Sequence, residues 1–435
     1  MTRREELWVM GKTTAVIMAG GRGERMDILC HVRPKPTLPF AGRFSVIDFT
    51  LSNCVYSGID DLAILTDFQR SHMARYLRAW GLSNAVRTLR VLDPVTGSYK
   101  GTADAVFQNL QYLQELNAQN VLILAGDQIY KMDYREMIAL HEQTGADVTV
   151  GVTRVPIVQA HRFGTVSLGE GGEILGFVEK SGSPLSNLAS MGIYVFNIDI
   201  LAQRLSEDAI QLNSPHDFGH AIIPSMVGRD KVIAYEFTGY WQDIGTPQAY
   251  YAANMELVRA EPGFSLNGTR PVLTQRVDLP PPRVSGQAVV VNSLVSPGCL
   301  IKGYVKDSIL SPGVMVDERA EVWNSLVMSN TFIRYHSVVD TCIIDEEVNI
   351  GKQCYIGFGN SHPAGGGDIT VVGKGANVRP HTVIRRNSRV SHHADTLSIR
   401  TNPSVDHIVV QRDIGRKSWA NEEVQSNERE SIYVA

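Results

Sequence analysis

An α/β domain followed by a β-solenoid is the architecture the sequence predicts, and three observations carry it. Short apolar runs ending in turn residues alternate with helix-like stretches through the first half of the chain. From about residue 261 prolines gather and periodicity disappears. Beyond that point Asn292-Ser-Leu, Asp307-Ser-Ile, Asn324-Ser-Leu and Thr341-Cys-Ile recur at spacings of 15, 17 and 17 residues.

The apolar runs are Thr14–Met18, Leu62–Thr66, Val121–Ala125 and Asp147–Gly151. Continuous apolar runs bounded by turn residues suit parallel strands covered on both faces. Between them Gln69–Trp80, Ala103–Asn117 and Tyr134–Gln143 repeat apolar residues at helical spacing, so the first domain reads as a doubly wound, Rossmann-like sheet. After Phe163 the pattern turns β-rich, with Glu173–Glu179 and Met191–Asn197, and Tyr240–Asn254 reads as a closing helix. The recurring phrase beyond residue 288, together with Ser-Pro-Gly at 296 and again at 311, indicates coils stacking on one another. An antiparallel sandwich also gives short strands, but it does not predict a near-constant phase. The expected division is residues 1–258, a linker 259–287, the solenoid 288–395, and a polar, aperiodic tail 396–435 expected to be mobile.

Composition narrows the function classes. In 435 residues, 41 Lys and Arg face 45 Asp and Glu, a net charge of −4, which does not suit a protein that coats nucleic acid. Five scattered cysteines without CxxC spacing argue against a disulfide framework and a structural zinc, and fit buried thiols in a reducing compartment. No run approaches the ~18 apolar residues of a membrane span, and the Met-Thr-Arg-Arg start is followed by no signal-like apolar segment. The expectation is a cytoplasmic protein.

The chemistry-bearing residues lie at strand ends. Ala19-Gly-Gly-Arg-Gly-Glu-Arg25 follows the first strand directly and is neither a P-loop nor a dinucleotide fingerprint. It offers backbone N–H groups unshielded by side chains, with Arg22 and Arg25 beside them, a combination that cradles phosphates. A glycine turn that only connects strand to helix is the plainer reading, but Lys35-Pro36 adds a further cation. Asp127 ends the run Val121–Gly126, where open α/β sheets collect ligands. It suits a divalent ion facing phosphates, or a helix cap. Asp243, with Trp241 two residues before it on the same face of an extended segment, is a second carboxylate, or a turn residue beside a structural Trp. Lys180 precedes a Ser-Gly-Ser-Pro loop and can reach an anion or stay solvated. Thr102, after Tyr99-Lys-Gly101, fits a helix cap whose free amides favour an anion or a base edge.

Taken together, Ala19-Gly-Gly-Arg-Gly, Arg33-Pro-Lys-Pro36, Ile47-Asp-Phe, Gly101-Thr-Ala-Asp-Ala-Val, Ile123-Leu-Ala-Gly-Asp-Gln-Ile-Tyr-Lys, Phe177-Val-Glu-Lys, Ala189-Ser-Met-Gly-Ile-Tyr-Val-Phe196, His216-Asp-Phe-Gly219 and Tyr240-Trp-Gln-Asp-Ile-Gly-Thr resemble the bacterial glucose-1-phosphate adenylyltransferase family over about residues 13–395. The resemblance implies a nucleotidyltransferase domain followed by a left-handed parallel β-helix, and adenylyl transfer from ATP to glucose 1-phosphate. It implies Gly20, Gly21, Gly23, Arg25, Lys35, Tyr99 and Gly101 as ATP contacts. Gly164, Glu179, Lys180, Ser190, Asp217 and Trp241, with Tyr99, become glucose 1-phosphate contacts. Asp127 and Asp243 become ligands of Mg²⁺, and Asp127, Arg25 and Lys35 the catalytic groups. A homotetramer responding to phosphorylated metabolites is the family expectation.

Val32, Pro39 and Ser45 stand where enteric members carry cations for a sugar bisphosphate, so activation by fructose bisphosphate is not expected. Arg379, Arg385, Arg386 and Arg389 offer another anion site or a solvated basic face. Three further functions stay open. These are a sister enzyme using dTTP, UTP or GTP, a non-catalytic regulatory subunit, and a solenoid acyltransferase with His336 or His362 as base.

Overall fold

The computed structural model describes residues 11–80, 88–95, 97–259, 262–359 and 369–396, with the two-residue strands Val409–Val410 and Ile432–Tyr433, which pair antiparallel. The first domain is built on a nine-stranded mixed sheet. Asn120–Ala125, Thr13–Met18, Asp61–Leu65 and Thr88–Leu92 are adjacent and parallel. Leu188–Asn197 runs antiparallel beside Asn120–Ala125 and carries Val148–Arg154 on its other side. The four strands read from apolar runs therefore point the same way, with one reversed strand inserted before the last. Val16, Ile17, Ile64, Leu122, Leu124, Val148 and Val150 have no exposed surface beyond 1 %, which is why these runs need no polar alternation.

Helices Val46–Tyr56, Arg70–Ala79, Tyr134–Thr144 and Ile198–Ala209 cover the sheet. Two expected helices differ. Ala103–Asn117 is interrupted at Asn109, giving Thr102–Gln108 and Leu110–Glu115. Tyr240–Asn254 is not one helix: Trp241–Asp243 is a strand paired antiparallel with Gln128–Tyr130, and the helix is Pro247–Met255. Thr246 caps it by accepting from Ala249 N, and Pro247 occupies a first-turn position where no N–H is needed.

The solenoid is a three-faced parallel β-helix, its faces containing seven, six and six strands among the described residues. Its first strand, Arg283–Val284, begins before residue 288. Asn292, Asp307, Asn324 and Thr341, the first residues of the recurring phrase, all have positive φ, between 44° and 55°. The phrase is thus the corner of each coil, where Asn and Asp tolerate the left-handed conformation best. The next residue of each phrase bonds across the stack: Ser308 N donates to Ser293 Oγ, Ser325 N to Ser308 Oγ and Cys342 N to Ser325 Oγ, each at 3.1 Å.

The proline-rich stretch is more than a tether. Phe264 and Val272 are buried with Phe40, Phe44 and Phe49 in a core that also takes Ile309, Leu326, Met328 and Ile343 from the solenoid. That core lies around the segment from Met26 to Phe49 that follows the glycine turn. All five cysteines are buried and free, and no described helix is long and apolar enough to cross a membrane.

Candidate active site

Strand pairing brings the distant carboxylates together. Met18 pairs with Ala125 in adjacent parallel strands, so the glycine turn and Asp127 leave the sheet at the same edge. Asp243 pairs with Gln128, the residue after Asp127. Lys35 closes the arrangement: its Nζ lies 2.9 Å from Asp127 Oδ2 and 3.9 Å from Asp243 Oδ1. Asp127 is not a helix cap, because the next helix is capped by Asp133, which accepts from Arg135 N.

A cleft of about 500 Å³ opens over these groups. Gly20, Gly21, Arg25, Tyr99, Gly101, Asp127, Gly164, Glu179, Lys180, Ser190, Asp217, Trp241 and Asp243 all line it. Lys35 is not among the lining residues; its ammonium lies behind the two carboxylates that are. Gly23 does not line it; its φ of 65° turns the chain, and a Cβ there would press on Cys30 and Lys35 at 3.2–3.3 Å. Arg22 is exposed and is not among the lining residues.

One wall is built around Glu179. A Cβ on Gly164 would collide with its carboxylate, and one on Gly219 would come within 2.8 Å of Oε2, so two glycines make the slot in which Glu179 lies. Lys180 adopts φ 47° and pairs with Glu179 Oε1 at 3.0 Å. Thr102 does not cap its helix. Its Oγ1 donates to Asp217 Oδ2 at 2.8 Å and accepts from Phe218 N at 3.0 Å, while the His216 carbonyl takes the amides of Ala103 and Asp104 at 2.8 and 3.2 Å. That helix start is therefore already satisfied by the chain. Burial alone would raise the Asp217 carboxyl, but hydrogen bonds from Thr102 and from the His220 amide and ring hold it below its ordinary value. Asp217 thus presents an ionised acceptor to the cleft. Burial pushes the Tyr99 hydroxyl up to about 12, so it remains a neutral phenol.

The sequence did not point to Asp67, Gln128, Arg162, Phe163 or Gly192, which also line the cleft. Gln128 accepts from Trp241 Nε1 at 3.0 Å, and Arg162 Nη2 lies 3.2 Å from Asp243 Oδ2. Register alone reveals Gln128, and no local pattern marks Arg162. In the solenoid, Arg379, Arg386 and Arg389 are not a free basic face: they pair with Asp395, Asp340 and Asp27. His336 is an exposed corner residue with φ 58°, and His362 lies outside the described residues.

Among the described residues no group of three or more His, Cys, Asp or Glu side chains is placed to hold a metal ion. Two carboxylates meeting at one ammonium fit a hard divalent ion that takes most of its other ligands from phosphate and water. A glycine–arginine turn, two converging carboxylates and a polar cleft at the carboxyl edge of an α/β sheet define a nucleotidyl transferase. The family model described as nucleotidyl transferase matches residues 14–260, and that of a GlmU-like C-terminal hexapeptide matches residues 282–375, which makes the solenoid a left-handed β-helix.

Curated relatives named glucose-1-phosphate adenylyltransferase include that of Acetivibrio thermocellus, 39 % identical over 80 % of this chain and 84 % of the relative. That of Fervidobacterium nodosum is 39 % identical over 87 % and 95 %, and that of Bacillus cereus 41 % identical over 78 % and 93 %. The chain belongs to the glucose-1-phosphate adenylyltransferase family. Nucleotidyl transferases of this kind generally use a divalent metal.

Proposed function

We propose that this chain transfers the adenylyl group of ATP to α-D-glucose 1-phosphate, releasing pyrophosphate and ADP-glucose for glycogen or other α-glucan synthesis. The observation that carries the reading is the approach of Asp127 and Asp243, from separate parts of the chain, to the single ammonium of Lys35 beside the glycine turn. A phosphate oxygen of the sugar attacks the α-phosphorus in line and pyrophosphate departs. Both reactants are anions, so the protein's task is to offset their repulsion and hold them aligned.

The backbone of Gly20 and Gly21 fits the nucleotide phosphates, with Gly23 turning the chain behind them and Tyr99 and Gly101 on the nucleotide side. Arg25 and Lys35 neutralise the departing pyrophosphate. Lys180 takes the sugar phosphate, while Glu179 and Asp217 accept from sugar hydroxyls within the wall formed by Gly164, Ser190 and Trp241. Asp127 and Asp243 would hold Mg²⁺, which would supply a shield for phosphate charge. The same reading makes the protein a cytoplasmic homotetramer open to phosphorylated effectors.

The test measures pyrophosphate release from glucose 1-phosphate with ATP, UTP, dTTP or GTP, with and without Mg²⁺. ATP- and Mg²⁺-dependent release is expected. Preference for another nucleotide makes it a sister enzyme. Inactivity alone, with stimulation of a partner subunit, makes it a regulatory chain.

A further inference from the structure

Asp243 has more cationic neighbours than its single charge requires. Lys35 approaches Oδ1 at 3.9 Å and Arg162 Nη2 approaches Oδ2 at 3.2 Å. A Cβ on Gly245 would lie 3.1 Å from both Arg25 Nη2 and Asp243 Oδ2, so the Arg25 guanidinium faces the same small space without pairing with the carboxylate. Arg25 and Lys35 belong to the turn that faces the phosphates. Arg162 comes from elsewhere. It ends the 3₁₀ turn Ile157–Arg162, just before Phe163 and Gly164.

Its placement is specific. Gly164 pairs with Glu179, and Lys180 N donates to the Phe163 carbonyl at 3.0 Å. Arg162 and Lys180 are therefore two cations at one end of a single strand pair, both lining the cleft. The Arg162 guanidinium lies 5.4 Å from the centre of the Phe163 ring, which packs edge-on against Trp241 at 5.3 Å. The aromatic pair thus flanks the guanidinium itself, and the Arg162 side chain as a whole keeps 31 % of its surface exposed. A partly hydrated ion pair of this kind exchanges partners at low cost, and a guanidinium fits a phosphate as well as a carboxylate.

Resting on the reaction proposed above, we infer that Arg162 is a further substrate-binding residue. It pairs with Asp243 as seen here and moves to a phosphate oxygen of glucose 1-phosphate when Asp243 takes a divalent ion. The exchange keeps both carboxylate and guanidinium paired throughout, and it links cation uptake at Asp243 to capture of the sugar phosphate.

The test uses the full chain without nucleotide, so that nothing turns over, and compares wild type with Arg162→Gln and Arg162→Lys. Mn²⁺ binding is followed by electron paramagnetic resonance, and glucose 1-phosphate binding in the presence of Mn²⁺ by calorimetry. Loss of the competing cation in Arg162→Gln is expected to tighten Mn²⁺ binding severalfold. Loss of a charge-assisted hydrogen bond should weaken glucose 1-phosphate binding roughly 10-fold or more, with partial recovery in Arg162→Lys and an unchanged thermal midpoint. Tighter Mn²⁺ with weaker sugar phosphate binding supports the exchange. Unchanged or weaker Mn²⁺ binding, or unchanged sugar phosphate binding, overturns it. If wild type releases no pyrophosphate from any nucleotide, the reaction is refuted on its own, and these two titrations still decide the role of Arg162.

Discussion

Pro34 separates two ion-pair systems that are built on opposite terms. On its solenoid side, Arg33 Nη2 lies 2.5 Å from Asp345 Oδ1, with side chains 2 % and 0 % exposed, and Glu346 stands 3.6 Å from Nη1. On its cleft side, Lys35 pairs with Asp127 and Asp243, whose side chains keep 38 % and 18 % of their surface. The inner pair is not fully satisfied: Arg33 Nε and Asp345 Oδ2 have no hydrogen-bond partner. Desolvation makes such a pair a poor source of net stability yet expensive to break from one side. The cleft pairs can be replaced by water or phosphate oxygens. The difference separates a contact that fixes the two domains from one made to be traded.

Breaking the inner pair should have the largest effect. Asp345→Ala leaves the buried guanidinium with only the longer ionic contact to Glu346 at 3.6 Å, and denaturant titration is expected to show a loss of about 3 kcal/mol. Combining Arg33→Met with Asp345→Leu should recover most of it, because the fully buried charges are gone and Glu346 keeps Lys374 as its partner at 3.1 Å. Breaking the cleft side should instead spare stability. Asp127→Asn is expected to reduce turnover roughly 10²–10³-fold while the thermal midpoint stays put, and a fully active, folded variant would remove Asp127 from the metal site.

A buried group with no opposite charge bonded to it sharpens the contrast. His141, 3 % exposed and 3.0 Å from Thr149 Oγ1, is held down to about 4 by burial, with Asp147 pulling the other way. Its ring stays neutral in the fold but protonates near 6.5 when unfolded. The stability this contributes is complete above pH 6.5 and drains away as pH falls toward 4, by up to about 3 kcal/mol. Stability curves against pH should flatten over that window in His141→Gln. The smallest effect belongs to Arg154 and Glu236, paired at 2.7 Å but 60 % and 36 % exposed. Arg154→Ala should cost less than about 1 kcal/mol, and less still in high salt.

Much of this was legible in the residues because each legible part is local. Val121–Ala125 reads as a covered strand because both its faces are apolar, and the corners at Asn292, Asp307 and Asn324 read as a repeat because a left-handed turn selects those side chains. The glycine turn, Asp127 and the family motifs follow from the same adjacency in sequence. What depended on register did not show. Helical spacing in Tyr240–Asn254 concealed a strand that exists only because Gln128–Tyr130 lies opposite. Thr102 looked like a cap because nothing nearby announces Asp217, 115 positions away. Arg162 was not singled out at all, because no local pattern marks it.

Pro34 itself carries a mechanical consequence. Its φ of −68° and ψ of 143° leave the link between Arg33 and Lys35 extended and with little give. The end held by Asp345 cannot slide, since the solenoid grips it out of water. The buried guanidinium in the solenoid and the ammonium between Asp127 and Asp243 are therefore carried two residues apart on one short extended link.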